Sequence, residues 1–145
     1  MTKNPKTVSE TDTIGHAATL IVEHGYIDMP VIDAEGRLAG TFGIYDLLGL
    51  LVPRIAVIGN LLPNLRFMSD DLGELHDKFK ELNGSPVRRA VNRESGYVHP
   101  DTPVAEALRL LARDHTTIPV VERGSNILVG IVSYWDAARA VMSGP

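Results

Sequence analysis

The chain repeats one sequence pattern, and the second copy follows the first at an offset of about 90 residues. Gaps of a single residue keep the two copies aligned from the first strand to the last helix. The aligned pairs include Val8 with Val98, Ala17 with Ala107, Leu20 with Leu110, Pro30 with Pro119, Gly40 with Gly130 and Asp46 with Asp136. Because a unit of about 50 residues buries little of its own surface, the two copies are expected to pack together as one folding unit.

Each copy predicts a short extended stretch, a helix, a hairpin and a second helix. The apolar stripe that predicts the first helix consists of Ile14, Ala17, Ala18, Ile21 and Val22. Asp12 stands at its expected N-cap, and Thr102 holds that place in the second copy. The extended stretches before these helices lie around residues 7–9 and 97–99.

Two apolar runs on either side of a polar turn predict each hairpin. The strands and the closing helices are expected at residues 29–32, 38–42 and 44–51, and again at residues 118–121, 127–132 and 134–142. The predicted fold class is therefore α+β, with two β-α-β-β-α repeats packed as a pseudo-two-fold pair and a helical segment inserted between them.

The expected boundaries are residues 1–51 for the first repeat, 52–85 for the insert and 86–145 for the second repeat. Within the insert, a helix is predicted by Leu72, Leu75, Phe79 and Leu82, which follow an acidic start. Residues 47–65 form an apolar run in which Arg54 is the only charge, but its prolines and asparagines argue against a membrane span. We expect this run to be buried where two copies of the chain meet.

Composition excludes several classes of protein. With 44% hydrophobic and 22% charged residues, the 145-residue chain has the balance of a folded, soluble domain. The absence of cysteine excludes disulfides, thiol nucleophiles and thiolate metal sites. A formal net charge of −4 provides no general basic surface for nucleic acid. The first residues are polar and lack the apolar stretch of a signal peptide, so a cytoplasmic protein is expected.

Catalytic motifs are missing from the sequence. Its five histidines show no metal-binding spacing, and neither GxSxG nor a P-loop occurs. Pairs of carboxylates occur only in stretches that look solvated. We therefore expect neither an enzyme nor a metal site nor a bound cofactor.

Two motifs that occur once in each copy resemble those of a known family. The first is a Pro-Val strand that ends in an acidic residue, MPVID at residues 29–33 and IPVVE at residues 118–122. The second is a glycine-led turn that ends in Asp, GTFGIYD at residues 40–46 and GIVSYWD at residues 130–136. Met1-Thr2 also resembles the opening of such a repeat, and Val91-Asn92 stands there in the second copy. In these features the chain resembles a tandem CBS-domain pair, or Bateman module.

The resemblance implies a regulatory module that binds an adenosine-containing nucleotide such as AMP or ATP in clefts between the repeats. In that family the turn Asp takes the ribose hydroxyls, and a Ser or Thr helps at the ribose or phosphate. Ser133 and Asp136 complete the turn in the second copy, whereas Gly43 replaces the hydroxyl residue beside Asp46. A carboxylate can accept from both ribose hydroxyls, and a helix start favours a phosphate. We therefore expect the Asp136 site to be the better one.

The walls around adenine are implied by the resemblance alone. The candidates grouped with Asp136 are Val98, His99, Pro100, Thr116, Thr117, Ile118 and Pro119. The candidates grouped with Asp46 are Val8, Ser9, Tyr26, Ile27, Met29 and Thr41. The candidates for a phosphate contact are Lys3, Lys6, Arg93, Arg113 and His115, among which the sequence does not choose.

A second interpretation remains open, in which Asp46 and Asp136 only cap their helices and the chain is a ligand-free dimerisation module. Gly43 and the apolar insert favour it. A homodimer is expected under both interpretations, because CBS pairs usually dimerise through helices. An unidentified regulated protein is a candidate partner. A membrane is not expected as one, and the net charge argues against nucleic acid.

Overall fold

Two three-stranded sheets, one for each repeat, form the framework of the protein. The computed structural model describes residues 1–51, 72–114 and 117–144. The first part contains β1 (Thr2–Lys3), β2 (Val8–Ser9), α1 (Ile14–His24), β3 (Asp28–Ile32), β4 (Leu38–Gly43) and α2 (Ile44–Leu51). The remainder contains α3 (Leu72–Leu82), a 3₁₀ turn (Val87–Arg89), α4 (Val104–Asp114), β5 (Ile118–Val121), β6 (Leu128–Val132) and α5 (Tyr134–Ser143). The predicted α+β class and the paired repeats are confirmed.

The extended stretch just before the first helix of each copy is short and lies parallel to the Pro-Val strand of the same repeat. Val8 lies opposite Val31 in the first repeat, and Val98 forms a parallel bridge with Val120 in the second. The Pro-Val strand then pairs with the next strand as an antiparallel hairpin in both repeats. The sheet orders are β2-β3-β4 and β1-β6-β5.

The residues that open each copy cross over to the sheet of the other copy. Lys3 on β1 lies opposite Gly130 on β6. Asn92 makes the reciprocal pairing with Thr41 on β4, through N–H···O bonds of 3.0 and 2.8 Å. The Met-Thr resemblance thus marks a strand that ties the repeats together, a pairing that the sequence analysis did not predict.

The hairpin tips of the two repeats also join. The Leu38 N–H donates to the Asn126 carbonyl, and the Leu128 N–H donates to the Gly36 carbonyl, both at 3.0 Å. Together with the crossed strands, these bonds couple the sheets through backbone groups, which need partners wherever they leave water.

The capping position predicted for α1 is wrong by one residue. Thr13 is the N-cap, and its side chain accepts from the His16 N–H. The Asp12 carboxylate instead accepts from the Ser9 N–H at 3.1 Å, and Thr102 accepts from the His99 N–H at 2.9 Å in the second repeat. Asp12 and Thr102 therefore each close the turn between the end of a strand and the start of a helix.

A buried apolar cluster lies in each repeat. In the first it contains Ile14, Ile21, Met29, Val31 and Phe42, all at most 1% exposed. In the second it contains Val98, Leu110, Leu111, Ile118 and Val120. Val22, which the helical stripe placed in the core, is 69% exposed.

The end of the insert packs on the first repeat. The Ile14 N–H donates to the Ser85 carbonyl at 2.8 Å, and the Gly15 N–H donates to the Asn83 carbonyl at 3.0 Å. Val87 is fully buried in the first cluster, so the packing extends past the sequence boundary expected at residue 86. The apolar run beyond Leu51, with its expected contact between copies, lies outside the described residues. No helix in the described parts of the chain is long and apolar enough to cross a bilayer.

Candidate functional site

A cavity of about 730 Å³ is lined by both repeats. The first repeat contributes the residues before and at the start of β3, the end of β4 and the start of α2. The second copy contributes the turn after Asn92 and the start of β5. The lining side chains that carry polar chemistry are those of Asp28, Thr41, Tyr45, Asp46, Asn92, Glu94, Ser95 and Thr117.

Asp46 lies in the first turn of α2 at one wall of this cavity. Its Oδ2 accepts a hydrogen bond of 2.8 Å from the Gly43 N–H. Burial raises the pKa of the Asp46 carboxyl, the hydrogen bond from Gly43 opposes that shift, and the negative charge of Asp28 adds to it. The charge of Asp28 is therefore felt at Asp46 inside the cavity.

Gly43 is the position at which the first copy lacks the hydroxyl residue of the motif. A Cβ atom there would lie 2.5 Å from the Ile27 carbonyl oxygen and 2.8 Å from the Cβ of Asp28. The glycine thus lets the residues before β3 approach the start of α2 closely. A serine in this position would need the backbone of one of these segments to move.

Asp28 and Thr117 are equivalent residues of the two repeats, each one position before the apolar start of its Pro-Val strand. The Thr117 Oγ1 donates to the Asp28 Oδ1 at 2.6 Å across the pair. This hydrogen bond joins the two repeats at the cavity wall.

A second cavity of about 230 Å³ lies beside Asp136. The Asp136 Oδ2 accepts from the Ser133 N–H at 2.9 Å, and the Asp136 N–H donates to the Ser133 Oγ at 3.3 Å, so the two residues form a capping box at the start of α5. The Ser133 hydroxyl also lies 3.1 Å from the Asp136 Oδ2. Its Oδ1 lies 3.7 Å from the Met1 amino group and 3.6 Å from the Arg139 guanidinium. Asp136 therefore has the surroundings of a helix cap with cationic neighbours.

The structure groups the candidate residues differently from the sequence analysis. Thr117 and Ile118 line the cavity of Asp46 together with Ile27 and Thr41, although they were grouped with Asp136. The reason is that the starts of β3 and β5 face each other across the pseudo-two-fold axis. The candidates that do lie with Asp136 are Val98, His99 and Pro100.

Several other candidates do not line either cavity. Met29 and Pro119 are buried within their sheets, and Ser133 serves the cap of α5. Tyr26 stacks on His24 with ring centroids 5.2 Å apart. Thr116, like His115 among the phosphate candidates, lies outside the described residues.

Sequence reasoning missed Asp28, Asn92 and Glu94. Asp28 could have been found from its alignment with Thr117, because Thr117 was already a candidate for the adenine wall. Asn92 was noted only as a departure from the Met-Thr opening. Sequence reasoning also did not bring Asp28 and Asp46 together, although the two carboxylates line one cavity.

Neither a metal site nor a basic cluster marks the cavity. Across residues 1–51, 72–114 and 117–144, no group of three or more His, Cys, Asp or Glu side chains is arranged to hold a metal ion. Arg93, a phosphate candidate next to Glu94, donates from its guanidinium to the Ala39 carbonyl at 3.3 Å.

The CBS domain model matches residues 1–53 and 87–143, well over half of the chain. This protein belongs to the CBS-domain family. A relative described as A-adding tRNA nucleotidyltransferase, from Aquifex aeolicus, is 30% identical over 142 residues, which are 97% of this chain and 14% of that protein. The chloroplastic CBS domain-containing protein CBSX1 of Arabidopsis thaliana is 27% identical over 93% of this chain and 58% of its own length. This CBS pair thus spans only part of either relative.

Solved structures of CBS pairs share this architecture. The CBS-pair protein CBSX2 from Arabidopsis thaliana has a TM-score of 0.76 and 25% identity, covering 99% of this chain and 91% of that one. A structure of CBSX2 in complex with AMP has a TM-score of 0.70 and 26% identity, covering 99% of this chain and 93% of that one. The chain is accordingly a CBS-pair module of the regulatory type.

Proposed function

We propose that this CBS pair binds an adenosine-containing ligand in the cavity that contains Asp46. The observation that carries the proposal is a cavity of about 730 Å³ that is lined by both repeats and has a carboxylate at the start of a helix. Small-molecule sites measure roughly 300–1,000 Å³, so this cavity suits a nucleoside whereas the one of about 230 Å³ beside Asp136 is small. The structural similarity to CBSX2, which has been solved with AMP, supports this choice of ligand.

Asp46 is the proposed partner of the ribose. One of its oxygens accepts from Gly43, and a carboxylate has lone pairs for further donors. A ribose presents two neighbouring hydroxyls, which a single carboxylate can accept with charge-assisted strength. Asp136 is less suited, because both of its oxygens already have partners in the cap, at the Met1 amine and at Arg139.

Regulation follows from the position of the cavity between the repeats. A ligand that contacts Asp46 and Thr117 at the same time would favour the arrangement in which the two repeats hold these residues at the right spacing. Binding then shifts the population of conformations by the difference in affinity between them. The module acts in this proposal without catalysis of its own, and it reports ligand occupancy to a regulated protein.

The module is further proposed to be a homodimer. Tyr45 at the start of α2 is 77% exposed, and the equivalent Trp135 at the start of α5 is 74% exposed. Large aromatic residues left in water at both equivalent positions are typical of a surface that meets a partner. An isologous contact between two copies would cover them.

Titration calorimetry with adenosine, AMP, ATP and S-adenosylmethionine tests the proposed site. Asp46→Asn keeps an oxygen for the Gly43 N–H but removes the charge that accepts the ribose hydroxyls, so the affinity for adenosine, which carries no charge, should fall about tenfold or more. Asp136→Asn is the matched control, since it makes the same change at the equivalent position and should leave the affinity unchanged. The proposal is contradicted if none of the four compounds binds, or if Asp46→Asn binds as tightly as the unaltered protein. Binding to none of them would instead favour the ligand-free dimerisation module.

A further inference from the structure

We propose that the cavity selects its adenosyl ligand by charge, and that Asp28, Asp46 and Glu94 make it favour neutral or cationic compounds over phosphorylated ones. The inference rests on the proposed function and adds the ligand class to it. All three carboxylates line the cavity of about 730 Å³.

Each of the three acids is positioned by a different part of the fold. Asp28 is held by the Thr117 hydroxyl at 2.6 Å, and Asp46 by the Gly43 N–H at 2.8 Å. Glu94 lies in the turn after Asn92, where the Glu94 N–H donates to the Asn92 side chain at 3.0 Å. The acids thus come from β3, α2 and the second copy, and all three line the same cavity.

The close approach of Asp28 to the end of β4 depends on Gly43. A Cβ at Gly43 would lie 2.8 Å from the Cβ of Asp28, which no ordinary packing allows. The charge of Asp28 is felt at Asp46, since it is one cause of the raised pKa of that carboxyl. Glycine in place of a hydroxyl residue at position 43 therefore leaves room for Asp28, a second carboxylate, at the cavity wall.

The described linings of the two cavities differ in their charged side chains. Beside Asp136, the Arg139 guanidinium at 3.6 Å provides positive charge. Of the described residues that line the larger cavity, none is Lys, Arg or His. Arg93, the cation next to Glu94 in sequence, donates to the Ala39 carbonyl.

The consequence for a ligand follows from Coulomb's law. The ribose hydroxyls of a nucleoside can donate hydrogen bonds to the carboxylates, and the nucleoside brings no charge into the cavity. A 5′-phosphate would carry up to two negative charges into the same space, and a sulfonium group would carry one positive charge. A carboxylate about 8 Å from a phosphate disfavours it by about fivefold even at the dielectric constant of water.

Calorimetry with two matched pairs of compounds tests the charge preference. Adenosine is compared with AMP, and S-adenosylmethionine with S-adenosylhomocysteine, which lacks the sulfonium charge. In the unaltered protein at about 0.05 M salt, adenosine should bind at least about fivefold more tightly than AMP, and S-adenosylmethionine more tightly than S-adenosylhomocysteine. Raising the salt to about 0.5 M should reduce both ratios, because exposed charges are screened.

Glu94→Gln and Asp28→Asn identify the groups responsible. Each variant should reduce the ratio of adenosine to AMP affinity by about fivefold and the ratio of S-adenosylmethionine to S-adenosylhomocysteine affinity by about twofold, because one negative charge is removed from the wall and the phosphate carries up to two charges against one for the sulfonium. Glu122→Gln is the control, since it removes an exposed acid at the far end of β5 from Thr117 and should leave the ratios unchanged. Circular dichroism checks that every variant is folded.

The possible outcomes separate the two proposals. If AMP binds as tightly as adenosine, or if neither Glu94→Gln nor Asp28→Asn changes the ratios, the charge inference is wrong. If adenosine binds and Asp46→Asn weakens that binding, the adenosyl site still stands, and only the charge inference is wrong. If no compound binds, both proposals are wrong.

Discussion

Asp46 and Asp136 occupy equivalent positions in the two repeats, but their carboxylates have different neighbours. Asp136 closes a capping box and lies near two cationic groups. Asp46 is partly buried beside another carboxylate, and these surroundings raise its pKa. A structural carboxylate is expected to stabilise the fold, whereas one kept for a ligand can cost stability. The two residues therefore provide an internal comparison.

The free energy of unfolding should respond with opposite sign to changes at these two positions. Because the folded pKa of Asp46 is the higher one, the folded state binds its proton more tightly than the unfolded state does. The ionised Asp46 carboxylate thus lowers the free energy of unfolding at pH values above its raised pKa. This loss of stability disappears as the pH falls toward the ordinary pKa of 3.8. Asp46→Asn should raise the free energy of unfolding at about pH 7, with a gain that shrinks as the pH falls through the raised pKa of Asp46 and is small below about pH 4.

Urea unfolding of the ligand-free protein across this pH range measures the effect. Asp136→Ala is the comparison at the same pH values, and it should lower the free energy of unfolding by about 1 kcal/mol, because the Ser133 N–H loses its partner in the capping box. A loss of stability in Asp46→Asn at neutral pH would show that Asp46, too, is a structural cap.

At the scale of elements, the segment that follows α3 belongs to the first repeat by its packing. Its backbone bonds to the start of α1, where the Val87 N–H donates to the Asp12 carbonyl at 2.7 Å. Phe79 of α3 packs on the same apolar cluster. The connection between the repeats is therefore part of the first core, and it delivers Asn92 and Glu94 to the cavity.

Val87→Ala tests this packing. Removal of two methyl groups from a fully buried side chain should lower the free energy of unfolding by about 2 kcal/mol. Chemical denaturation measures the loss, and Val104→Ala is the control because Val104 is 58% exposed at the start of α4. The control should change stability by less than about 0.5 kcal/mol. Equal effects of the two substitutions would mean that Val87 contributes no more than an exposed valine.

At the scale of the whole molecule, exposed aromatic residues provide a test of the proposed homodimer. Trp135→Ala should weaken self-association about thirtyfold, since a buried Trp at an interface commonly contributes 2 kcal/mol or more. Sedimentation equilibrium over a range of concentrations measures the dissociation constant. Tyr97→Ala is the matched control, because Tyr97 is 49% exposed in the loop before Val98. A monomeric unaltered protein, or a Trp135→Ala dimer of unchanged strength, would contradict the proposal.

The elements and their order were predictable because they depend on local patterns. Helical spacing located α1, although Val22 is exposed, and the polar turns located both hairpins. The N-cap of α1 was missed by one residue because Asp12 and Thr13 are both good capping residues, and the preceding turn uses Asp12. The duplication also implied that the repeats pack together.

The sequence by itself thus determined the repeats, the family and the two acidic turns at equivalent positions. Only the tertiary structure decided that Asp28, Asp46 and Glu94 share one cavity while Asp136 serves a cap. Asp28 and Thr117 lie 89 positions apart and meet through a hydrogen bond across the pseudo-two-fold axis. Proximity across that axis depends on how the two sheets pack and on how the residues that open each copy pair with the sheet of the other copy. No local pattern of residues encodes this arrangement.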